Sequence, residues 1–332
     1  MTIALDVMGG DHAPQAIVVG ALEAAPLLKS RLLLVGDEAK FKQFLPNHLP
    51  PNVELRHASQ SVDMEEKPLH AYRMKKDSSL MVAARLVKDG EAEALVSAGN
   101  TGAASATSLL QWRQIHGIHR PAIASQFPSK HGGFVLLDAG ASPDVDPEHL
   151  VEFAIMGRSY VQKLMGRDNP QVHLLNIGEE DGKGNAFAKQ AHQLLRRHAW
   201  FAGNIEGKDM FAKQVDVIVC DAFVGNIVLK TCEGVAEFIV DTIRSQVPTH
   251  PASRLLYWPV RKVTRPLRKQ MDYAEIGGSP LLGLNGLCMI CHGRSNPKAI
   301  RNALLTTEKA LERELVETIR KSVFSELGPV NE

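Results

Sequence analysis

Residues 3–28 read IALDVMGGDHAPQAIVVGALEAAPLL. The first five, IALDV, form a short apolar run of strand length. MGGDH then places two glycines ahead of an aspartate and a histidine, and Pro14 opens a run in which apolar residues return at helical spacing. Proline suits the first turn of a helix, where its missing N–H costs nothing. A strand, a glycine turn and a helix in that order form one half of a parallel crossover unit.

The same order recurs along the chain. Strands are expected at 31–36 (RLLLVG), 93–99 (EALVSAG), 122–127 (AIASQF), 134–140 (FVLLDAG), 172–178 (VHLLNIG), 215–222 (VDVIVCDA) and 287–292 (LCMICH). Several are continuous apolar runs, as expected of strands covered on both faces. Helical periodicity fills the gaps, as in DSSLMVAARLVKDG (77–90) and PEHLVEFAIMGRSYVQKLMG (147–166). The pattern predicts an α/β fold with a mostly parallel sheet sandwiched by helices. No internal repeat or low-complexity tract interrupts it.

Composition sets broad limits. The chain has 332 residues, 44% hydrophobic and 23% charged, the range of an ordinary globular protein. A net charge of +1 gives no global attraction to nucleic acid, and none is expected as a partner. No stretch has the eighteen or so unbroken apolar residues of a spanning helix. The N-terminus opens on a strand carrying Asp6 rather than on a basic region, and Cys220, Cys232, Cys288 and Cys291 form no disulfide framework. A cytoplasmic location is expected.

Six polar turns, MGGDH, SAGNTG, DAGAS, NIGEEDGKGN, DAFVGN and CHGRSNP, all follow the carboxyl end of a predicted strand. In open α/β sheets those ends form the ligand crevice. Glycines ahead of a helix let main-chain N–H groups approach an oxyanion, and the helix N-terminus adds favourable potential. Gly99 and Gly102 bracket Asn100 and Thr101, which can cap a helix or bind phosphate with the same atoms. Asn226 stands at another helix start with Lys230 one turn later, and Lys183 lies among glycines without the spacing of a phosphate-binding P-loop. These features point to a bound phosphate. No dinucleotide fingerprint and no metal-ligating aspartate cluster stand at convincing spacing, which argues against a nicotinamide-dependent decarboxylating dehydrogenase.

CMICH (288–292) spells a haem-attachment motif, yet it lies inside an apolar strand and reads as buried thiols. His292, at that strand's end, stays open between a structural and a site role. No nucleophile elbow and no cysteine in an activating turn are found. If acyl transfer occurs, the bound oxyanion attacks by itself. The acid-free segment 248–271 carries Arg254, Arg261, Lys262, Arg265, Arg268 and Lys269. On a helical wheel its apolar side, with Leu256 and Val260, faces away from the arginines, while Tyr257 and Trp258 supply interfacial anchors. Pro259 and Pro266 interrupt any long helix. Contact with an anionic membrane is expected there, through Leu256, Tyr257, Trp258, Val260 and Arg261; packing on a dimer partner is the alternative.

At these motifs the chain resembles the bacterial phosphate acyltransferases of phospholipid synthesis, the PlsX type. The likeness runs through ALDVMGGDHAP at 4, LVSAGNTGA at 95, LLDAGAS at 136, LLNIGEEDGKGN at 174 and FAGNIEG at 201. It continues in DVIVCDAFVGNIVLKTCEG at 216 and GGSPLLGLNGLCMICHGRSNPKAI at 277. It departs at Ala222, where the family usually has Gly, and at Ser142, where it usually has Asn. The resemblance implies transfer of an acyl chain from acyl carrier protein to inorganic phosphate, without a cofactor or metal. A membrane glycerol-3-phosphate acyltransferase (PlsY type) then uses the acyl phosphate. It also implies a fold similar to phosphotransacetylases and isopropylmalate dehydrogenases, formed by one catalytic domain over 1–332. A homodimer and a helical hairpin projecting over 224–272 are further implications, the hairpin tip touching the inner face of the cell membrane.

On this reading Gly9, Gly10, Asn100, Thr101 and Asn226 are expected to cradle phosphate. Lys183 and Lys230 supply countercharge, and His12 manages a proton or polarises the carbonyl. Asp6 and Asp11 orient His12 or a lysine, while His292 and Ser295 complete the opposite wall.

Overall fold

The computed structural model describes residues 1–245 and 273–328. Its strands are β1 (Thr2–Asp6), β2 (Arg31–Gly36), β3 (Val53–His57), β4 (Ala94–Ser97), β5 (Ala122–Ile123), β6 (Ser125–Phe127), β7 (Phe134–Leu137), β8 (Val172–Asn176), β9 (Phe201–Glu206), β10 (Val217–Val219), β11 (Ser279–Leu282) and β12 (Leu287–Ile290). The helices are α1 (Gln15–Ala24), α2 (Glu38–Phe41), α3 (Pro68–Met74), α4 (Ser79–Lys88), α5 (Thr101–Trp112), α6 (Pro147–Tyr160), α7 (Ala186–Leu195), α8 (Ala222–Ser245), α9 (Tyr273–Ile276), α10 (Pro297–Glu312) and α11 (Leu315–Leu327). The segment 248–271 lies outside the described residues, and with it Leu256, Tyr257, Trp258, Val260 and Arg261. Of the expected hairpin, 224–272, the structure describes only the α8 part.

The strands form two sheets. The larger has seven in the order β3-β2-β1-β4-β12-β11-β5; the smaller has five in the order β6-β7-β10-β8-β9. Neighbours are parallel except around β11 and between β6 and β7. The mostly parallel α/β architecture therefore holds, but divided between two sheets. The run AIASQF shows how. Residues 122–123 pair with β11 in the larger sheet, whereas 125–127 pair with β7 in the smaller. One expected strand is thus two, and the chain crosses between sheets at Ala124. A continuous apolar run carries no mark of which neighbour each half will join.

Three strands escape the sequence pattern. β3 and β9 are sheet edges with half-exposed residues, so they lack an apolar run. β11 contains Pro280, which cannot donate to a ladder and reads as a loop residue.

Helix starts follow their caps. Asn100, Asn185 and Asn296 each accept the N–H three residues on, at 2.9, 2.8 and 3.0 Å, and thereby start α5, α7 and α10. Asp221 does the same for α8, accepting from Val224 N at 2.9 Å. Helix α6 is buried along most of its length, and Leu150, Phe153 and Met156 pack it against β7, β8 and β10. Each such side chain contributes about 1.5–3 kcal/mol by leaving water. Helix α1 lies on α10 at close range: a Cβ on Gly20 would stand 2.5 Å from the Pro297 carbonyl oxygen.

Candidate active site

The turns after β1, β4 and β12 meet on the rim of the larger sheet. A Cβ on Gly9 would lie 2.7 Å from Asp6 Oδ2 and 2.8 Å from Gly99 N. Gly10 adopts φ +108°, a left-handed conformation that favours glycine, and the next N–H, of Asp11, donates to the Gly293 carbonyl at 2.8 Å. Both glycines are thus needed for chain to lie on chain. Beneath them Asp6 is buried and accepts from Ser97 Oγ at 2.8 Å and Met8 N at 3.2 Å. Burial pushes its carboxyl up, against the hydrogen bonds that favour the ion. Asp6 therefore ties β1 to β4. His12 and Asp11 are both exposed.

Asn100 is occupied at both ends of its amide. Oδ1 caps α5, and Nδ2 donates to the carbonyls of Met64 and Glu66 at 2.8 and 2.9 Å. It clamps the 63–66 segment, so its expected phosphate contact has no spare side-chain donor here. Thr101, next to it, faces the cleft described below.

The rim of the smaller sheet is knotted by Asp138. This carboxylate is fully buried and accepts four backbone N–H groups, from Ile123, Gly140, Ala141 and Ser142, at 2.7–3.0 Å. Burial still dominates and pushes its pKa from 3.8 to about 6. Ser142 also donates Oγ to the Pro121 carbonyl at 2.9 Å, so a structural bond occupies that position. Helix α8 sits directly on the knot. A Cβ on Gly225 would stand 1.9 Å from the Asp138 carbonyl oxygen, and only glycine permits the approach. The first turn of α8 thereby reaches the rim, where Asn226 lies against Gly140.

Between the two rims lies a cleft of about 530 Å³. Thr101 and Gly102, from the first turn of α5, line one side; Ala222, Phe223 and Asn226, from the first turn of α8, line the other. Ile123, Ile227, Leu229, Ile276 and Ile290 make an apolar wall. Lys230 and Glu233 enter from α8 and pair at 2.8 Å. His292 faces them, with Nε2 3.9 Å from the same Glu233 oxygen. Burial lowers the His292 pKa, as do the Lys230 and Arg294 charges, while Glu233 and Asp11 oppose them.

The structure thus brings Thr101, Asn226, Lys230 and His292 together. Gly9, Gly10, Asp6 and Asn100 are not among its lining residues. Ser295 is buried behind His292, and its Oγ finds no hydrogen-bond partner among the described residues. Lys183 stands apart: it is exposed, lies on the NIGEEDGKGN turn after β8, and approaches Glu180 at 3.8 Å. The six turns therefore line two rims of two sheets, and the NIGEEDGKGN turn does not reach the cleft lining. Sequence reading missed Glu233, although its three-residue spacing from Lys230 was a signal. It also missed Ser125 and Ser279, whose hydroxyls meet at 3.2 Å in the cleft wall; they are 154 residues apart and carry no local signal.

Cys288 and Cys291 are buried, and burial pushes both thiols up to about 12, which removes them as nucleophiles. One group among the described residues has metal-ligand spacing: His119, His149 and Glu152. Its donors are already spent. His149 Nδ1 accepts the Asp146 N–H at 2.8 Å, leaving the ring proton on the other nitrogen, and Glu152 accepts both the ring and the backbone N–H of His119. The group clamps the 113–121 loop to α6.

The fold has counterparts among solved structures. A phosphotransacetylase from Streptococcus pyogenes superposes with a TM-score of 0.62 at 15% identity, covering 94% of each chain. In sequence, the phosphate acyltransferase of Desulfitobacterium hafniense is 46% identical over 326 residues, 97% of this chain and 98% of that one. That of Heliobacterium modesticaldum is 45% identical over 334 residues, covering 99% and 100%. Residues 1–318 match the family described as fatty acid synthesis protein. The chain belongs to that family, and it is an acyltransferase.

Proposed function

We propose that the cleft joins inorganic phosphate to a fatty acyl group delivered as the thioester of acyl carrier protein. The products are an acyl phosphate and the carrier thiol, in the route to phospholipids. One observation carries this reading: the first turns of α5 and α8 open on one cleft that also holds Lys230 and an apolar wall. A helix N-terminus presents unpaired N–H groups and about half a positive charge, so two of them converging favour a small anion. The apolar wall suits an acyl chain.

The chemistry needs no covalent link to the protein. A phosphate oxygen bonds to the carbonyl carbon, the C–S bond breaks, and the proton of hydrogen phosphate leaves with the thiol. Thr101 and Asn226 hold the anion, and Lys230 supplies countercharge from inside the cleft. Gly9 and Gly10 set the floor that keeps α5 in place. Holding phosphate within about 3–3.5 Å of the carbonyl turns an encounter into an intramolecular step.

An acyl phosphate is a mixed anhydride, so its consumer must take it quickly; a membrane glycerol-3-phosphate acyltransferase fits that role. The basic segment 248–271 supports contact with the anionic inner face of the membrane, since its composition pairs arginines with Tyr257 and Trp258. Flotation with anionic vesicles tests this: Trp258→Glu floating as well as the wild type removes it. Homodimer formation is supported by α8, which beyond the cleft leaves Val235 and Phe238 exposed for a second copy to cover.

Incubation with acyl carrier thioester and phosphate, trapping the product with hydroxylamine, tests the reaction. A phosphate-dependent hydroxamate is expected. Absence of hydroxamate, or accumulation of a stable acyl-protein adduct, overturns the reading.

A further inference from the structure

We propose that His292, uncharged and carrying its proton on Nε2, donates the hydrogen bond that stabilises the oxyanion formed when phosphate attacks the thioester carbonyl; this rests on the acyl-transfer reading above. His292 Nδ1 accepts the backbone N–H of Arg294 at 3.1 Å. An accepting nitrogen offers its lone pair, so the single proton of the neutral ring resides on Nε2. A second proton would place Nδ1–H against Arg294 N–H, two donors opposed. The loop therefore holds the ring in one tautomer and resists the charged form.

Nε2 points into the cleft. It stands 3.9 Å from Glu233 Oε2, and Lys230 Nζ pairs with that same oxygen at 2.8 Å. An anionic oxygen already sits between an imidazole nitrogen and an ammonium group. A substrate oxyanion that displaces this carboxylate oxygen would meet the same two groups, with α8 presenting Lys230 and the turn after β12 presenting His292. Among the described residues the charged groups facing the ring are Glu233 and Lys230 from α8, Arg294 from its own loop and Asp11 from the turn after β1; burial is the largest influence and lowers the ring's pKa. His12 was expected to manage a proton or polarise the carbonyl, but it is exposed and is not among the residues lining the cleft. His292 takes that place.

The step balances without proton transfer to the protein. Attack forms the new O–C bond and moves the carbonyl π electrons onto oxygen, which accepts Nε2–H. Collapse restores the C=O bond, expels the sulfur, and the thiol leaves with the phosphate proton. His292 ends as it began.

The test uses the full chain with an acyl thioester and phosphate, reading hydroxamate and thiol together. His292→Ala removes the donor and lowers kcat about 10²–10³-fold, with the phosphate KM within about 3-fold of wild type. His292→Asn keeps an acceptor for Arg294 N–H but cannot reach the Nε2 position, so it is as slow as alanine while melting like the wild type. His292→Gln sets an amide N–H near Nε2 and recovers to within about 10-fold of wild type, since neither residue need titrate. Glutamine no faster than alanine, or alanine within about 3-fold of wild type, overturns the assignment while the acyl-transfer reading stands. A wild-type enzyme that forms no hydroxamate overturns both.

Discussion

The turn after β1 and the entry from β10 into α8 both use glycine near the carboxyl end of a parallel strand, yet they do different work. In the first, Gly9 and Gly10 allow the chain to lie on Gly99 and Gly293, and eight residues separate the end of β1 from the start of α1. In the second, Gly225 lets α8 rest on the Asp138 carbonyl, and only two residues separate the end of β10 from the start of the helix. Only the second brings a helix N-terminus and a lysine to the cleft. A buried aspartate knots each rim, Asp6 through serine hydroxyls and Asp138 through four main-chain N–H groups. The lesson is that a strand-end connection delivers a helix N-terminus to the cleft when the helix begins immediately behind the strand, and serves as a framework joint when the helix is delayed.

This contrast is open to direct attack. The largest effect is expected at Gly225. The methyl of Gly225→Ala has no room beside the Asp138 oxygen, so α8 must move; a loss above about 3 kcal/mol of stability and most of the activity follow. Gly9→Ala, with a gentler clash, costs about 1–3 kcal/mol. Urea unfolding measures both, and the reverse order would break the comparison.

Next comes the Asp138 knot. Its folded pKa, about 6, lies above the ordinary 3.8, so its contribution is fully present below pH 4 and is lost as the pH rises through 6. Asp138→Asn removes that titration. The stability of wild type relative to the variant should therefore fall by up to about 3 kcal/mol between pH 4 and 7. A difference that stays constant with pH would show that the carboxylate is ionised throughout.

The smallest effect compares side chains across the rims. Lys230→Met is expected to raise the phosphate KM about 10- to 100-fold, the worth of a charge-assisted hydrogen bond. His12→Ala, at an exposed position, changes kcat/KM by less than about 3-fold. Steady-state kinetics decide it, and a larger loss at His12 would return the site to the first turn.

Much of the site was legible in the motifs, but roles were harder to read than positions. Asn100 shows why. Its place at a helix start was plain from SAGNTG, whereas its engagement with the Met64 and Glu66 carbonyls depends on a segment more than thirty residues away. Lys183 and Lys230 each lie near a glycine or asparagine turn. Their different fates come from sheet order, because β10 and not β8 adjoins β7 at the cleft. The edge strands β3 and β9 stayed hidden because half of each faces water, which erases the apolar run.

By itself the sequence determined the alternation of strands and helices, the caps, and the glycine turns at strand ends, since each depends on residues within a turn or two. Local propensity and periodicity act at that range. Tertiary structure decided that AIASQF divides between two sheets, that the first-turn glycines brace the frame, and that Lys230, Glu233 and His292 share one cleft. Those outcomes depend on which strands pair and how closely helices approach, contacts between residues far apart in the chain that no local pattern encodes.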